Sequence, residues 1–306
     1  MTLLAIVAVL LFEQAKPLPV VRVDAWLDAW AAYLEARLNA GQWRHGAAAW
    51  TIGVAAPAAL VLLLFVVLMW FSWLAAALFS IAVLYLTTGF RQFSHYYTDI
   101  NLALRMGELD RARRLISEWR RLPADALSSE EVARLAIEEA LTASHRHVFA
   151  PLFWFVVLGP AGALLYRLTR HFCFRWAFRD PKDYGRFGDF SQRAFAVVDW
   201  LPLRLTAAAF AVVGDFEDAV YCWRTQAERW PDIETGILLA SGAGALGVRL
   251  GMPVRTSVDL GNRPEMGIGD DAGPDLMQSA VGLVWRTLVM ALLLLALLGI
   301  ASWVGK

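Results

Sequence analysis

Hydrophobic positions in this chain fall into long unbroken runs, separated by stretches where they recur every three or four residues. The longest run covers residues 46–90, where none of the 45 positions is charged. One apolar helix needs about 20 residues to cross a bilayer core, so the run predicts two helices folded as a transmembrane hairpin. Trp70, Phe71 and Trp73 sit in its middle, where a turn at the membrane–water boundary falls and aromatic rings are favoured. Residues 287–305 are 19 uncharged positions and predict a last span. Residues 149–166 are also uncharged but are interrupted by Gly159-Pro160. Broken backbone is tolerated in a membrane only where it faces protein or water, so this run predicts a kinked span or a re-entrant pair of half-helices. Residues 2–12 are apolar over only 11 positions, with no basic residue before them and with Glu13, Gln14 and Lys16 after them. They read as a short membrane-inserted or interfacial helix rather than a signal peptide.

The remaining stretches are periodic. Residues 17–45 place Val23, Trp26, Leu27, Trp30, Tyr33, Leu34 and Leu38 at three- and four-residue spacing, with Asp24, Asp28, Glu35 and Arg37 between them. That spacing predicts an amphipathic helix ending near Gly41. Residues 91–147 carry nine Arg and nine acids and read as folded helices rather than a tail. Gly107 ends one helix, Glu108 and Asp110 open the next, and Ser128-Ser129-Glu130-Glu131 has the form of a capping box at the start of a third. Residues 167–194 are basic and read as a loop that sets membrane orientation, with a phosphate-contact surface as the alternative. Residues 194–213 are apolar apart from Asp199, Pro202 and Arg204; charges in such a segment are costly and are functional candidates. Residues 214–286 form a second polar region, where Gly214-Asp215-Phe216-Glu217 echoes Gly107-Glu108-Leu109-Asp110. Its small-residue tract, residues 241–247, predicts a flexible segment able to approach a ligand or another helix closely. Residues 251–275 read as a loop.

Composition sharpens this picture. Of the 306 residues 58% are hydrophobic and 18% charged, too apolar for an ordinary soluble domain. Lys+Arg and Asp+Glu are 28 each, which gives no electrostatic case for a nucleic-acid partner. The 14 Trp suit long membrane–water boundaries. Cys173 and Cys222 lack the spacing of a redox or zinc motif. The expected fold class is all-α: an integral membrane helical bundle with helical extramembrane regions, and the lipid bilayer as first partner. Its segments are 1–45 (short apolar segment and amphipathic helix), 46–90 (hairpin), 91–147 (helical polar region), 148–213 (broken membrane helix, basic loop, membrane helix), 214–286 (second polar region) and 287–306 (last span). If every apolar run crosses, the basic 167–194 stretch lies opposite the larger polar regions; if 149–166 is re-entrant, the polar regions gather on one face.

Several segments together resemble the CobD/CbiB family of membrane proteins of cobalamin biosynthesis. They are Ala150-Pro151-Leu152-Phe153 followed by Gly159-Pro160-Ala161-Gly162-Ala163-Leu164-Leu165-Tyr166-Arg167; Trp200-Leu201-Pro202-Leu203-Arg204-Leu205-Thr206-Ala207; and Ala243-Gly244-Ala245-Leu246-Gly247-Val248-Arg249-Leu250-Gly251. The helix opening at Gly107 also fits a family pattern. The resemblance implies an inner-membrane, multi-pass protein like adenosylcobinamide-phosphate synthase, joining adenosylcobyric acid to aminopropanol phosphate through an amide bond. ATP and Mg²⁺ are the implied cofactors, a corrinoid the substrate, and other cobalamin-pathway proteins the partners. On that basis Arg167, Arg204, Arg249, Tyr166 and Thr206 are the expected contacts to phosphate or corrinoid carboxylates, since the guanidinium fork binds such groups through two hydrogen bonds. The chain departs from the family pattern where acids are expected: Thr142-Ala143-Ser144-His145-Arg146-His147 precedes the first motif, Arg170-His171-Phe172-Cys173 follows it, and Phe195-Ala196 precedes the second. No metal site is assigned, and His145 and His147, joined by His95, are the substitutes considered; alternate residues on a helix face apart. The missing acids leave catalysis open. They are compatible with a non-catalytic signalling or scaffold protein similar to AmpE, linked to β-lactamase regulation, which shares the Ala150–Trp154 and Asp199–Leu205 segments. A transporter is a third reading, resting on the broken helix and the intramembrane charges.

Overall fold

The computed structural model describes residues 2–15, 20–177, 184–256 and 263–304. The N-terminal part comprises α1 (Thr2–Ala15), α2 (Val20–Leu38), α3 (Trp43–Trp50), α4 (Ala56–Phe71) and α5 (Trp73–Thr87). Next come α6 (Phe90–Arg105), α7 (Leu109–Arg120), α8 (Ser129–Ser144), α9 (Ala150–Leu158) and α10 (Pro160–Trp176). The chain ends with α11 (Asp189–Val213), α12 (Phe216–Gln226), α13 (Ile233–Leu246) and α14 (Pro274–Val304). Regular strand among the described residues is confined to two-residue β1 (Val248–Arg249), paired in parallel with β2 (Asp270–Asp271). The fold is therefore all-α. Among the described residues three helices are long and apolar enough to cross a membrane: Trp43–Phe71, which joins α3 and α4 through the π-helical turn Thr51–Ala55, then Asp189–Val213 and Pro274–Ala301.

The chain divides into two compact units, one of Met1–Phe90 with His147–Pro202, the other of Arg91–Arg146 with Leu203–Lys306. In the first, α2 is amphipathic and buries Leu27, Ala31 and Leu34 in a core with Leu168, Phe172 and Trp176 of α10, closed by Phe187. The rings of Phe172 and Trp176 meet edge to face at 4.6 Å. Helices α4 and α5 break at Ser72, whose hydroxyl accepts from the Ala75 N–H at 3.4 Å. The aromatic cluster sits at that break, with Trp70, Phe71 and Trp73 89, 80 and 65% exposed, and Leu60, Leu63, Leu64 and Leu78 are exposed along the two helices. So wide an apolar outer surface suits lipid. Helix α9 ends at Gly159, whose φ of +64° and ψ of −151° suit glycine almost alone; Pro160 then opens α10, a position where a missing N–H costs nothing. The basic stretch departs from the loop reading at its two ends: α10 continues as helix through Tyr166 to Trp176 and α11 begins at Asp189, while residues 178–183 lie outside the described residues. Its Leu168, Phe172 and Trp176 recur every four residues into the core, so the charged residues between them stay helical.

In the second unit α8 opens with the capping box, Ser128 accepting from the Glu131 N–H and Glu131 accepting from the Ser128 N–H. Helix α8 is buried almost throughout and packs against α7, α13 and α14. The small-residue tract is not flexible. Residues 241–246 lie in the buried helix α13, and Gly247 ends it with φ +63°. Small side chains there let helices touch: a Cβ on Gly244 would lie 2.5 Å from the Asp218 carbonyl oxygen and 2.7 Å from the Ala219 backbone. Because those neighbours are backbone, they cannot rotate away. We expect Gly244→Ala to cost about 1–3 kcal/mol, read as a lowered melting temperature of the detergent-solubilised protein; an unchanged melting temperature would show that α12 and α13 do not meet this closely.

Candidate functional site

Beyond Tyr166, α10 carries Arg167, His171 and Arg175 four residues apart, with Arg170 three after Arg167, and these gather on one side of a helix. Asp24, Asp28 and Glu35 of α2 are four and seven residues apart and share a face by the same geometry. The two faces meet. Arg167 is buried, its Nη2 2.9 Å from Asp24 Oδ1, and its Nη1 donates to the Thr87 carbonyl at 3.3 Å. Its Nε is buried without a partner among the described residues. His171 Nε2 lies 3.3 Å from Asp28, Arg175 lies 3.9 Å from the same carboxylate, and Tyr184 donates to Glu35. Burial holds the His171 imidazole below its ordinary value, against the pull of Asp28 and Asp24. Tyr166 donates to Asp199 at 2.9 Å, both buried. Arg170 Nη1 is 3.5 Å from His147 Nε2.

This arrangement is unequal in burial. Arg167 is 5% exposed at its side chain and Asp24 48%. A buried guanidinium that still has an unpaired donor, beside a carboxylate open to solvent, is suited to take an anion's oxygen. Arg134 and Arg249 also have an Nε without a partner among the described residues, so it is the burial of the cation against an open carboxylate that sets Arg167 apart.

The second unit holds a different charged centre. Glu138 of α8, 3% exposed, receives Arg263 Nη2 on both oxygens at 2.6 and 2.8 Å and the Gly251 N–H at 2.9 Å, with Arg120 at 3.4 Å. Arg134 donates to the Gly251 carbonyl, Glu131 accepts from the Arg255 N–H, and the Arg263 guanidinium lies 5.4 Å from the Trp230 ring. Every oxygen of Glu138 is occupied, so this centre is a latch holding the segment after β1 to α8, not an open site. Cys222 is equally unsuited to nucleophilic chemistry, since burial pushes its thiol up to about 11, which leaves it protonated.

The expected site residues are thus distributed over both units. Tyr166 and Arg167 stand together in the first. In the second, Thr206 is 2.9 Å from His145 Nδ1, Arg204 is half-buried on α11, and Arg249 is paired with Asp271 at 2.9 Å and Glu265 at 3.6 Å. His145 and His147 lie in the π-helical turn His145–Phe149 and engage Thr206 and Arg170 respectively. Among the described residues no three His, Cys, Asp or Glu side chains converge as metal ligands. Beside Arg167 the carboxylates of Asp24 and Asp28 face Arg167, His171 and Arg175, a cation-paired donor set that does not fit a resident divalent cation. Sequence reasoning missed Asp24 and Asp28 as site residues because their spacing reads equally well as the wet face of an amphipathic helix.

Known proteins bear on this arrangement. The family described as CobD/CbiB protein matches residues 2–284. A relative from Stutzerimonas stutzeri, called "Cobalamin biosynthesis protein CobD", is 34% identical over 286 residues, covering 94% of this chain and 92% of its own. One of the same name from Chromobacterium violaceum is 36% identical over 206 residues, 67% of this chain and 66% of its own. Another, from Mycobacterium tuberculosis, is 33% identical over 177 residues, 56% of each chain. No solved structure matches. The AmpE-like alternative gains no support from these relatives.

Proposed function

The chain belongs to the CobD/CbiB protein family, and from that membership we propose that it acts in cobalamin biosynthesis, as a membrane protein resembling adenosylcobinamide-phosphate synthase. The observation that carries the proposal is the near full-length likeness to a relative named for cobalamin biosynthesis. The reaction joins the carboxyl group of adenosylcobyric acid to the amine of aminopropanol phosphate. A carboxylate is a poor acceptor until one oxygen becomes a leaving group; phosphoryl transfer from ATP supplies it, the amine attacks the carbonyl carbon, phosphate departs, and the new amide nitrogen loses a proton. Such chemistry calls for positioning and for cations against phosphate and carboxylate oxygens.

Arg167 is the residue we assign to that task first, because its guanidinium is buried while its partner Asp24 is open to solvent. Tyr166, the adjacent residue on the helix, donates to Asp199. Arg204, Thr206 and Arg249 are the further contacts in the second unit. Mg²⁺ is given no protein site and enters no step here. The chain departs from the pattern its family resemblance implies at residues 142–147, 170–173 and 195–196, where acids are expected. The protein is placed in the inner membrane, crossing it several times, with a corrinoid intermediate and neighbouring cobalamin-pathway proteins as partners. The test is complementation: a bacterium deleted for its own family member, supplied with cobyric acid, is expected to recover cobalamin-dependent growth when it expresses this chain. No growth, with the protein present and folded in the membrane, would contradict the assignment.

A further inference from the structure

Two of the long apolar helices, Trp43–Phe71 and Asp189–Val213, begin at one place in the first unit. The joint is built by backbone. The Arg186 N–H donates to the Gly41 carbonyl at 3.0 Å, and Gly46 sits so close to Phe187 that a Cβ would come within 2.0 Å of its carbonyl oxygen. Phe190 wedges between Trp43 and Trp50, edge to face with each at 5.4 Å. The joint contains a cavity of about 340 Å³ lined by Gln42, Trp43, Arg44, Arg186 and Arg193. Arg186 pairs with Asp189 at 3.0 Å, while Arg44 and Arg193 make no ion pair among the described residues. Gln42, the residue before α3, contributes no side-chain cap, so the first-turn N–H groups add positive potential.

We propose that this pocket binds a phosphate group at the membrane surface. Three arginine forks around one cavity match phosphate oxygens. The placement, where two membrane-length helices start beside an exposed Trp43, is that of a lipid headgroup, since basic pockets between membrane helices hold anionic headgroups and tryptophan favours that depth. A small phosphorylated molecule presents the same chemistry. The site is separate from Arg167 and does not depend on the reaction proposed above.

The experiment compares the wild type with Arg44→Gln/Arg193→Gln, and with Arg224→Gln/Arg229→Gln as a control of equal charge change. Phosphatidylglycerol and phosphatidylcholine retention is read by native mass spectrometry in detergent, and glycerol 3-phosphate binding by calorimetry. The wild type is expected to prefer phosphatidylglycerol. The pocket variant should lose roughly 30-fold in that binding, two arginines at the usual surface value each, while the control is unchanged. Loss of glycerol 3-phosphate binding alone would keep the site and make its ligand a free phosphorylated molecule. Equal binding of both probes by wild type and pocket variant would overturn the proposal, as would equal losses in pocket and control variants. Because both arginines are exposed, the melting temperature is expected to hold; if it falls, Arg193→Gln alone is measured in its place.

Discussion

Glu138→Ala is expected to destabilise the protein by about 3–5 kcal/mol, the cost of breaking a buried ion pair by removing one partner. The pair is buried on both sides, and the variant would strand the Arg263 guanidinium and the Gly251 N–H together. Glu138→Gln, which keeps one acceptor oxygen for them, is expected to cost less. Thermal unfolding in detergent and limited proteolysis of the segment after β1 read the effect. A Glu138→Ala protein that melts with the wild type would mean the latch is not formed.

A second large effect is expected at Arg167, with a telling asymmetry. Asp24→Asn leaves a buried cation without its counter-charge and should cost about 3 kcal/mol. Arg167→Met leaves Asp24, which is 48% exposed and can be hydrated, and should cost roughly 1 kcal/mol. Function should invert that order. Arg167→Met is expected to abolish complementation although it is the more stable variant, and the double variant Asp24→Asn/Arg167→Met is expected to regain stability without regaining function. An Arg167→Met protein that complements fully would remove this guanidinium from the site and leave it a structural ion pair.

What the sequence made legible is what local patterning records. The two apolar helices in 46–90, the amphipathic α2, the capping box at Ser128 and the break at Gly159 each follow from local pattern, and the structure has each of them, although of the two apolar helices only the first, continued back to Trp43, has the length of a span. The pairings that build the charged centres were not legible, because they join positions far apart: Arg167 and Asp24 are separated by 143 residues, and Arg263 and Glu138 by 125. A lone acid on an amphipathic helix looks the same whether it faces water or a buried arginine. The same limit explains the basic stretch, read as a loop from its charges, when its periodic Leu168, Phe172 and Trp176 bind it to α2 as helix. It also explains the tract at 241–247, where small residues signal close approach but do not say that the neighbour is the backbone of α12. The family motifs located Arg167 and Tyr166 but were silent about Asp24, which lies outside them.

The central claim, that this chain makes the corrinoid amide with the Arg167 site taking part, is tested most directly by product formation. Purified protein in detergent is incubated with ATP, Mg²⁺, adenosylcobyric acid and aminopropanol phosphate, alongside an active family member as control, and the amide is sought by mass spectrometry. The account predicts adenosylcobinamide phosphate from the wild type and none from Arg167→Met. No product from the wild type, with the control active under the same conditions, would contradict it and leave a family scaffold without the chemistry.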